Sequence, residues 1–211
     1  MAKKNQRWLD RWQKDSYVKQ ASQLGYRSRA AFKLAQIDNR DSLFYPKMTV
    51  IDLGSTPGSW CQWVWQRLEG QVELFAVDIL PMEPLPKVTF IQGDFTDIAV
   101  EQLLLEALRN RKVDLVMSDM SPNMSGIKVV DQSRALLLAE LARDLALNNL
   151  RLGGHFLTKL FCGEGFDTYV RGLRSYFQQV VIRKPAASRT QSAEVYILAK
   201  HYCQSNVSIG N

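Results

Sequence analysis

From residue 48 onward the chain alternates short apolar runs with amphipathic stretches of helical length, and this rhythm limits the fold more than any other feature. Met48–Leu53, Val72–Asp78, Val88–Ile91, Val113–Asp119, His155–Phe161, Val180–Arg183 and Val195–Lys200 read as strands. Between them, helices are expected from the Gly/Pro turn after Leu53 to about Leu68, over Ile98–Asn110, over Ser133–Leu150 (stopped by Gly153 and Gly154) and over Phe166–Phe177. Continuous apolar strands separated by helices imply a mostly parallel sheet buried on both faces. The polar stretch 184–194, with Pro185, is too short for a crossover helix, so the last two strands should run antiparallel at one edge. Residues 6–39 read as a helical segment broken at Gly25, with Ser28 preceding an apolar face of Ala30, Ala31, Phe32, Leu34, Ala35 and Ile37.

The run Val50-Ile51-Asp52-Leu53-Gly54-Ser55-Thr56-Pro57-Gly58-Ser59-Trp60 ends a strand in an acid and a tight turn before a helix begins. Ligands of open α/β sheets bind beyond the carboxyl ends of the strands, and Gly54 and Gly58 would allow a close approach there. Residue 56 is Thr, which rules out a G-x-G-x-x-G fingerprint, and no Lys-Ser/Thr follows Gly58, which rules out a Walker loop. Asp52 would repel a triphosphate but suits a cationic ligand such as S-adenosylmethionine. Asp78 closes the next strand, placed to accept ribose hydroxyls, and Asp94 follows the third, placed for an adenine amino group. Three acids after three successive strands match three parts of one nucleoside.

Charge separates the chain into zones. Residues 1–40 carry ten basic and three acidic side chains, residues 168–193 five basic and none acidic, and residues 41–167 have a net charge of −6. Basic flanks around an acidic middle point to a polyanionic partner, foremost a nucleic acid. No apolar run approaches the roughly 20 residues of a membrane span, and the charged amino terminus lacks the apolar core of a secretory signal. Cys61, Cys162 and Cys203 are odd in number and widely spaced, and His155 and His201 are the only histidines. Disulfide and zinc scaffolds are therefore not expected, no metal site is expected, and a reducing cytoplasm fits. Trp8, Trp12, Trp63 and Trp65 read as core or helix-face residues.

Lys159 interrupts the apolar strand Phe156–Phe161, where an unpaired ammonium would be costly. Lys33, Asp119 at a strand end and Glu194 at a strand start should gather with it on one sheet edge. The motifs Arg27-Ser28-Arg29-Ala30-Ala31-Phe32-Lys33-Leu34, Asp52-Leu53-Gly54-x-x-Pro57-Gly58, Ser118-Asp119-Met120-x-Pro122-Asn123-Met124-Ser125-Gly126 and Ser192-x-Glu194-Val195-Tyr196 resemble those of the FtsJ-type RNA 2'-O-methyltransferases. Within that family the resemblance is nearest to the bacterial enzymes of large-subunit ribosomal RNA, and it spans roughly residues 7–202.

The resemblance implies a Rossmann-like class I S-adenosylmethionine-dependent methyltransferase fold: a seven-stranded, mostly parallel sheet with one antiparallel edge strand and an amino-terminal helical extension. It implies a Lys-Asp-Lys-Glu catalytic set on Lys33, Asp119, Lys159 and Glu194, and cofactor contacts on Gly58, Trp60, Asp78, Asp94 and Asp119. The implied substrate is a uridine ribose in the A-loop of 23S rRNA, in the 50S subunit, acted on by a monomer with no obligate protein partner. Residues 1–40 would be a basic RNA-contacting extension, 41–204 the methyltransferase domain and 205–211 a polar tail. Ser55, Thr56 and Ser59 depart from the Gly-Ala-Ala-Pro-Gly-Gly-Trp loop common in the family. The Asp119-Met120-Ser121-Pro122 turn lacks the second Pro and the aromatic of base-amino methyltransferases, which favours a sugar oxygen as target. A tRNA 2'-O-methyltransferase and a non-catalytic RNA-binding assembly factor are the alternatives.

Overall fold

The structure, a computed structural model, describes residues 15–189 and 192–204. The start of the expected amino-terminal helical segment, with Trp8 and Trp12, and the tail from residue 205 lie outside them. Helices α1 (Ser16–Gln23) and α2 (Ala30–Asp41) precede strand β1 (Met48–Leu53), helix α3 (Ser59–Arg67) and strands β2 (Val72–Asp78) and β3 (Val88–Gln92). Then come α4 (Ile98–Ala107), β4 (Val113–Ser118), α5 (Lys128–Asn149), β5 (Leu150–Phe161), α6 (Phe166–Leu173), β6 (Phe177–Arg183) and β7 (Glu194–Tyr202).

The seven strands form one sheet in the order β3-β2-β1-β4-β5-β7-β6. Pairings among β1 to β5 are parallel, and β7 runs antiparallel to both β5 and β6. The expected fold class holds, with the reversed strand itself one place in from the edge. A strand inserted there must be fully paired and covered, which explains the unbroken burial of Val195–Ala199.

Every residue of β1 is buried, as its continuous apolar run requires. The two-residue period sends Ile51, Val116, Phe156 and Ile197 to one face, packed with Leu104, Ala142 and Leu173 from α4, α5 and α6. Val50, Leu115, Leu157 and Leu198 go to the other, packed with Leu34 and Ile37 of α2 and Trp63 of α3. Burying a side chain such as Leu34, fully shielded, contributes about 1.5–3 kcal/mol. Helix α2 thus holds Lys33 against the sheet as part of the core.

Three boundaries differ from expectation for physical reasons. Helix α5 starts at Lys128, ahead of Ser133, because the buried Asp131 turns back to accept bonds from the preceding loop. Gly153 and Gly154 do not stop that helix: it ends at Asn149 and the chain enters β5 at once. Gly154 lies where the β4–β5 register shifts, and a side chain there would press on the carbonyls of Arg151 and Asp114. Phe177 belongs to β6, stacked on Phe156 with ring centroids 6.5 Å apart, whereas the apolar period had extended α6 to it.

Candidate active site

Strand order reverses between β1 and β4, so their carboxyl ends open a crevice. The β4 and β5 strands run in register as far as Ser118 and Thr158, so Asp119 and Lys159 follow side by side. Antiparallel β7 pairs Tyr196 with Lys159 and Glu194 with Phe161. Lys33 reaches the same place from α2. All four residues of the expected charged set therefore meet.

Lys159 Nζ donates to the Asp119 carbonyl at 2.6 Å and lies 3.0 Å from Asp119 Oδ1. Lys33 Nζ lies 2.7 Å from Glu194 Oε1. The two pairs are joined by Tyr196, whose hydroxyl donates to Asp119 Oδ1 at 2.7 Å and accepts from Lys33 Nζ at 3.1 Å. Ser188 Oγ donates to Glu194 Oε1 at 2.9 Å. Burial tends to raise the Asp119 carboxyl, but Lys159, Lys33 and the Tyr196 hydroxyl outweigh it and hold it below the usual range. Burial pushes the Tyr196 phenol well up, and the carboxylates of Asp119 and Glu194 add to this, so it stays a neutral donor.

The two lysines do not share one counter-ion. Instead each has its own carboxylate, with Tyr196 and Asp119 between them. Tyr196 was the residue missed, although Glu194 and Tyr196 are two apart on one strand and so share a face. Tyr196→Phe should keep the fold and cofactor binding but lower turnover about 10-fold, by freeing Asp119 and Lys33 to shift. Unchanged turnover in single-turnover kinetics would remove Tyr196 from the site.

Beside this cluster a cavity of about 180 Å³ is lined by Asp52, Gly54, Ser55, Thr56, Ser59, Trp60 and Asp119, among others. Asp119 is common to cavity and cluster. Trp60 is fixed by its indole N–H, which donates to the Ala30 carbonyl at 2.9 Å, and by its packing on the Tyr196 ring. Asp78 lies further along the edge, its two carboxylate oxygens accepting from the backbone of Thr56 and Leu80, each at 2.8 Å. Asp94 accepts from the Thr96 backbone at 2.9 Å and hydroxyl at 2.7 Å. Gly54 and Gly58 both have left-handed φ, and a side chain at either would strike this chain's own Met120 or Met82. Internal packing by itself therefore favours glycine at both positions. A larger cavity of about 790 Å³, lined by Lys47, Thr49, Glu73, Lys87, Arg109 and Arg111 among others, sits at the amino ends of β1 to β3 and contains none of the expected residues.

Asp52 is fully buried and accepts the Cys61 thiol at 3.2 Å. Burial pushes its carboxyl up to about 8, and the nearby Asp119 and Asp78 add to this. It is therefore largely protonated at pH 7. An acid whose folded-state value exceeds its unfolded value of about 3.9 favours the folded form most when protonated. Its contribution is complete below about pH 4 and falls as pH rises to about 8. Asp52→Asn should therefore narrow the loss of stability between pH 5 and pH 8 in urea unfolding, by an amount on the order of a few kcal/mol. An equal loss in both proteins would contradict this.

A model of the FtsJ-like methyltransferases matches residues 26–202. The chain belongs to the FtsJ-like methyltransferase family. It is 55% identical over 198 residues to a ribosomal RNA large subunit methyltransferase E from Alkalilimnicola ehrlichii, covering 94% of this chain and 95% of that one. Among solved structures, a Plasmodium falciparum protein described as a ribosomal RNA methyltransferase superposes with TM-score 0.77 at 30% identity, over 84% of this chain and 98% of the other. Human methyltransferase-like protein 13, solved with S-adenosylhomocysteine, shares the fold at TM-score 0.54 and 16% identity, over 83% and 84% of the two chains. In this FtsJ-like methyltransferase the charged cluster and the glycine-turn cavity meet at Asp119. Among its described residues no helix is long and apolar enough to cross a membrane.

Proposed function

We propose that this FtsJ-like methyltransferase transfers a methyl group from S-adenosylmethionine to the 2'-oxygen of a ribose in large-subunit ribosomal RNA. The observation that carries the reading is the position of Asp119, which lines the glycine-turn crevice and at the same time holds Lys159 and Tyr196. The ribosomal substrate is supported by the name of the 55%-identical relative. The finer target, a uridine of the 23S A-loop in the 50S subunit, follows from the family resemblance.

The residues present fit the donor. Asp52, Gly54, Trp60 and Asp119 are among the residues that line the crevice, where a positive sulfur or ammonium group would meet two carboxyl groups. Asp78 and Asp94 follow along the open edge for ribose and adenine, and Gly58 shapes the turn. Bound S-adenosylmethionine supplies an electrophilic methyl on sulfur. Lys159 already gives hydrogens to the carbonyl and carboxylate of Asp119, so its remaining N–H can hold the ribose hydroxyl in line and stabilise charge growing on oxygen. Asp119, in contact with Lys159 and Tyr196, is the anion placed to receive the hydroxyl proton as the oxygen–carbon bond forms. Lys33 and Glu194 keep Tyr196 in place.

The basic flanks 1–40 and 168–193 supply phosphate contacts. Several of their cations are engaged within the chain: Arg27 donates to the carbonyls of Pro57, Glu83 and Pro84, Arg29 pairs with Asp15, and Arg183 pairs with Asp41. Lys19, Arg174 and Arg189 remain exposed, and Arg189 lies close enough to Arg29 to lower its pKa after burial has done so. For three or four phosphate contacts, methylation should fall roughly 10- to 100-fold between 50 and 200 mM salt, while cofactor affinity changes little. Equal salt sensitivity of both would count against these roles.

Transfer of a radiolabelled methyl group to purified 50S particles, free ribosomal RNA and tRNA tests the proposal. Label in the 50S particles is expected. Label confined to tRNA would overturn the substrate, and label in none would favour an RNA-binding assembly factor.

A further inference from the structure

The ten residues after Asp119 leave the sheet edge beside the charged cluster, and they put Met124, Ile127 and Val129 into solvent at 62%, 61% and 62% exposure. Three large apolar side chains within six residues, two in the loop and Val129 in the first turn of α5, form an unusual surface next to a site expected to meet a polyanion. A loose loop could fold them inward, but this one is pinned. The buried carboxylate of Asp131 accepts from the Ser125 backbone and hydroxyl, both at 2.7 Å, and from the Gly126 backbone at 3.1 Å. Ser125 Oγ accepts in turn from the Ile127 backbone at 3.2 Å, and Arg134 donates to the Asn123 carbonyl at 3.3 Å. Gly126 takes the left-handed φ of 83° that the turn needs. The bonds from Ser125 and Gly126 also hold the Asp131 carboxyl below the usual carboxylate range, so its charge persists across the neutral range.

The chemistry next door defines what such a surface would meet. A ribose hydroxyl reaches a recessed methyl donor most readily when its nucleotide is splayed out of the regular stack, as bases of single-stranded loops can be, and this strips the base of its neighbours. That base then needs an apolar partner, and its flanking phosphates need cations. Met124 lies five residues past Asp119, within about 18 Å even along a fully extended chain. Lys128 and Arg134 are exposed beside the apolar trio. We infer that the pinned turn Met124–Ile127, with Val129 of the first turn of α5 beside it, is the seat of the unstacked nucleobase of the target nucleotide, with Met124 and Ile127 packing on the base face and Asp131 as the positioning residue. The turn would do with aliphatic and thioether groups what an aromatic platform does elsewhere. This inference rests on the ribose-methylating function proposed above.

The test compares two single-stranded RNA oligonucleotides that span the methylated position, one natural and one lacking the base at that nucleotide alone. Affinity is measured by fluorescence anisotropy with S-adenosylhomocysteine at saturation. The native chain should bind the natural RNA about tenfold more tightly than the abasic one. The Met124→Ser/Ile127→Ser double variant should bind both equally, at the abasic level, with unchanged urea unfolding and unchanged S-adenosylhomocysteine affinity. A variant that keeps the tenfold preference, or that weakens both RNAs alike, would overturn the seat and point to another partner for the patch. Label found in no RNA would instead remove the function on which the seat depends.

Discussion

Lys159→Ala should lower methyl transfer by about 10²- to 10⁴-fold while S-adenosylmethionine binding stays within about twofold. The expectation comes from position. Lys159 is paired across the sheet with Tyr196 and tied twice to Asp119, yet it is not among the residues that line the cofactor crevice. Its loss removes the group that would hold and polarise the attacking hydroxyl, but no wall of the donor site. Lys159→Arg is not a conservative rescue, because a planar fork cannot reproduce a compact ammonium at 2.6 Å from a carbonyl. Single-turnover kinetics beside isothermal titration separates the two effects. Turnover within threefold of the native chain would show that Lys159 serves packing only.

Asp119→Ala should abolish activity and also destabilise the protein by about 3–5 kcal/mol. The side chain of Lys159 is only 7% exposed, so removal of its carboxylate leaves a buried ammonium without a counter-charge. For a domain of this size the melting temperature should fall by roughly 10 °C. Adding Lys159→Met removes the orphaned charge, so the double variant should recover most of the stability and none of the activity. That split between stability and turnover separates a chemical role for Asp119 from a merely structural one. A single variant of native stability would mean that Asp119 and Lys159 do not hold one another in solution.

Much of this arrangement is legible in the chain. A strand covered on both faces must be mostly apolar, so β1 and β2 stand where their residues place them, and an acid at or next to each strand end is visible without coordinates. Lys159 stands out because a charge inside an apolar strand needs a partner. What escapes is tertiary. Apolar runs carry no sign of order within a sheet, so the interior place of β7 is not readable from Glu194–Tyr202. Gly153 and Gly154 look like a helix stop, although the space that Gly154 leaves is taken by carbonyls of Arg151 and Asp114. The bond from Tyr196 to Asp119 crosses 77 positions of sequence and depends on one β5–β7 register. The neutrality of Asp52 depends on complete burial, which its own neighbours in sequence do not reveal.

The central claim is that the acceptor is a ribose oxygen, and alkaline hydrolysis of the labelled RNA tests it most directly. Alkali cleaves RNA through attack by a free 2'-hydroxyl, so a methylated 2'-oxygen blocks cleavage at its own nucleotide. Label from 50S particles should therefore appear in alkali-resistant dinucleotides. Label released as mononucleotides would place the methyl on a base and contradict the roles given to Lys159 and Asp119.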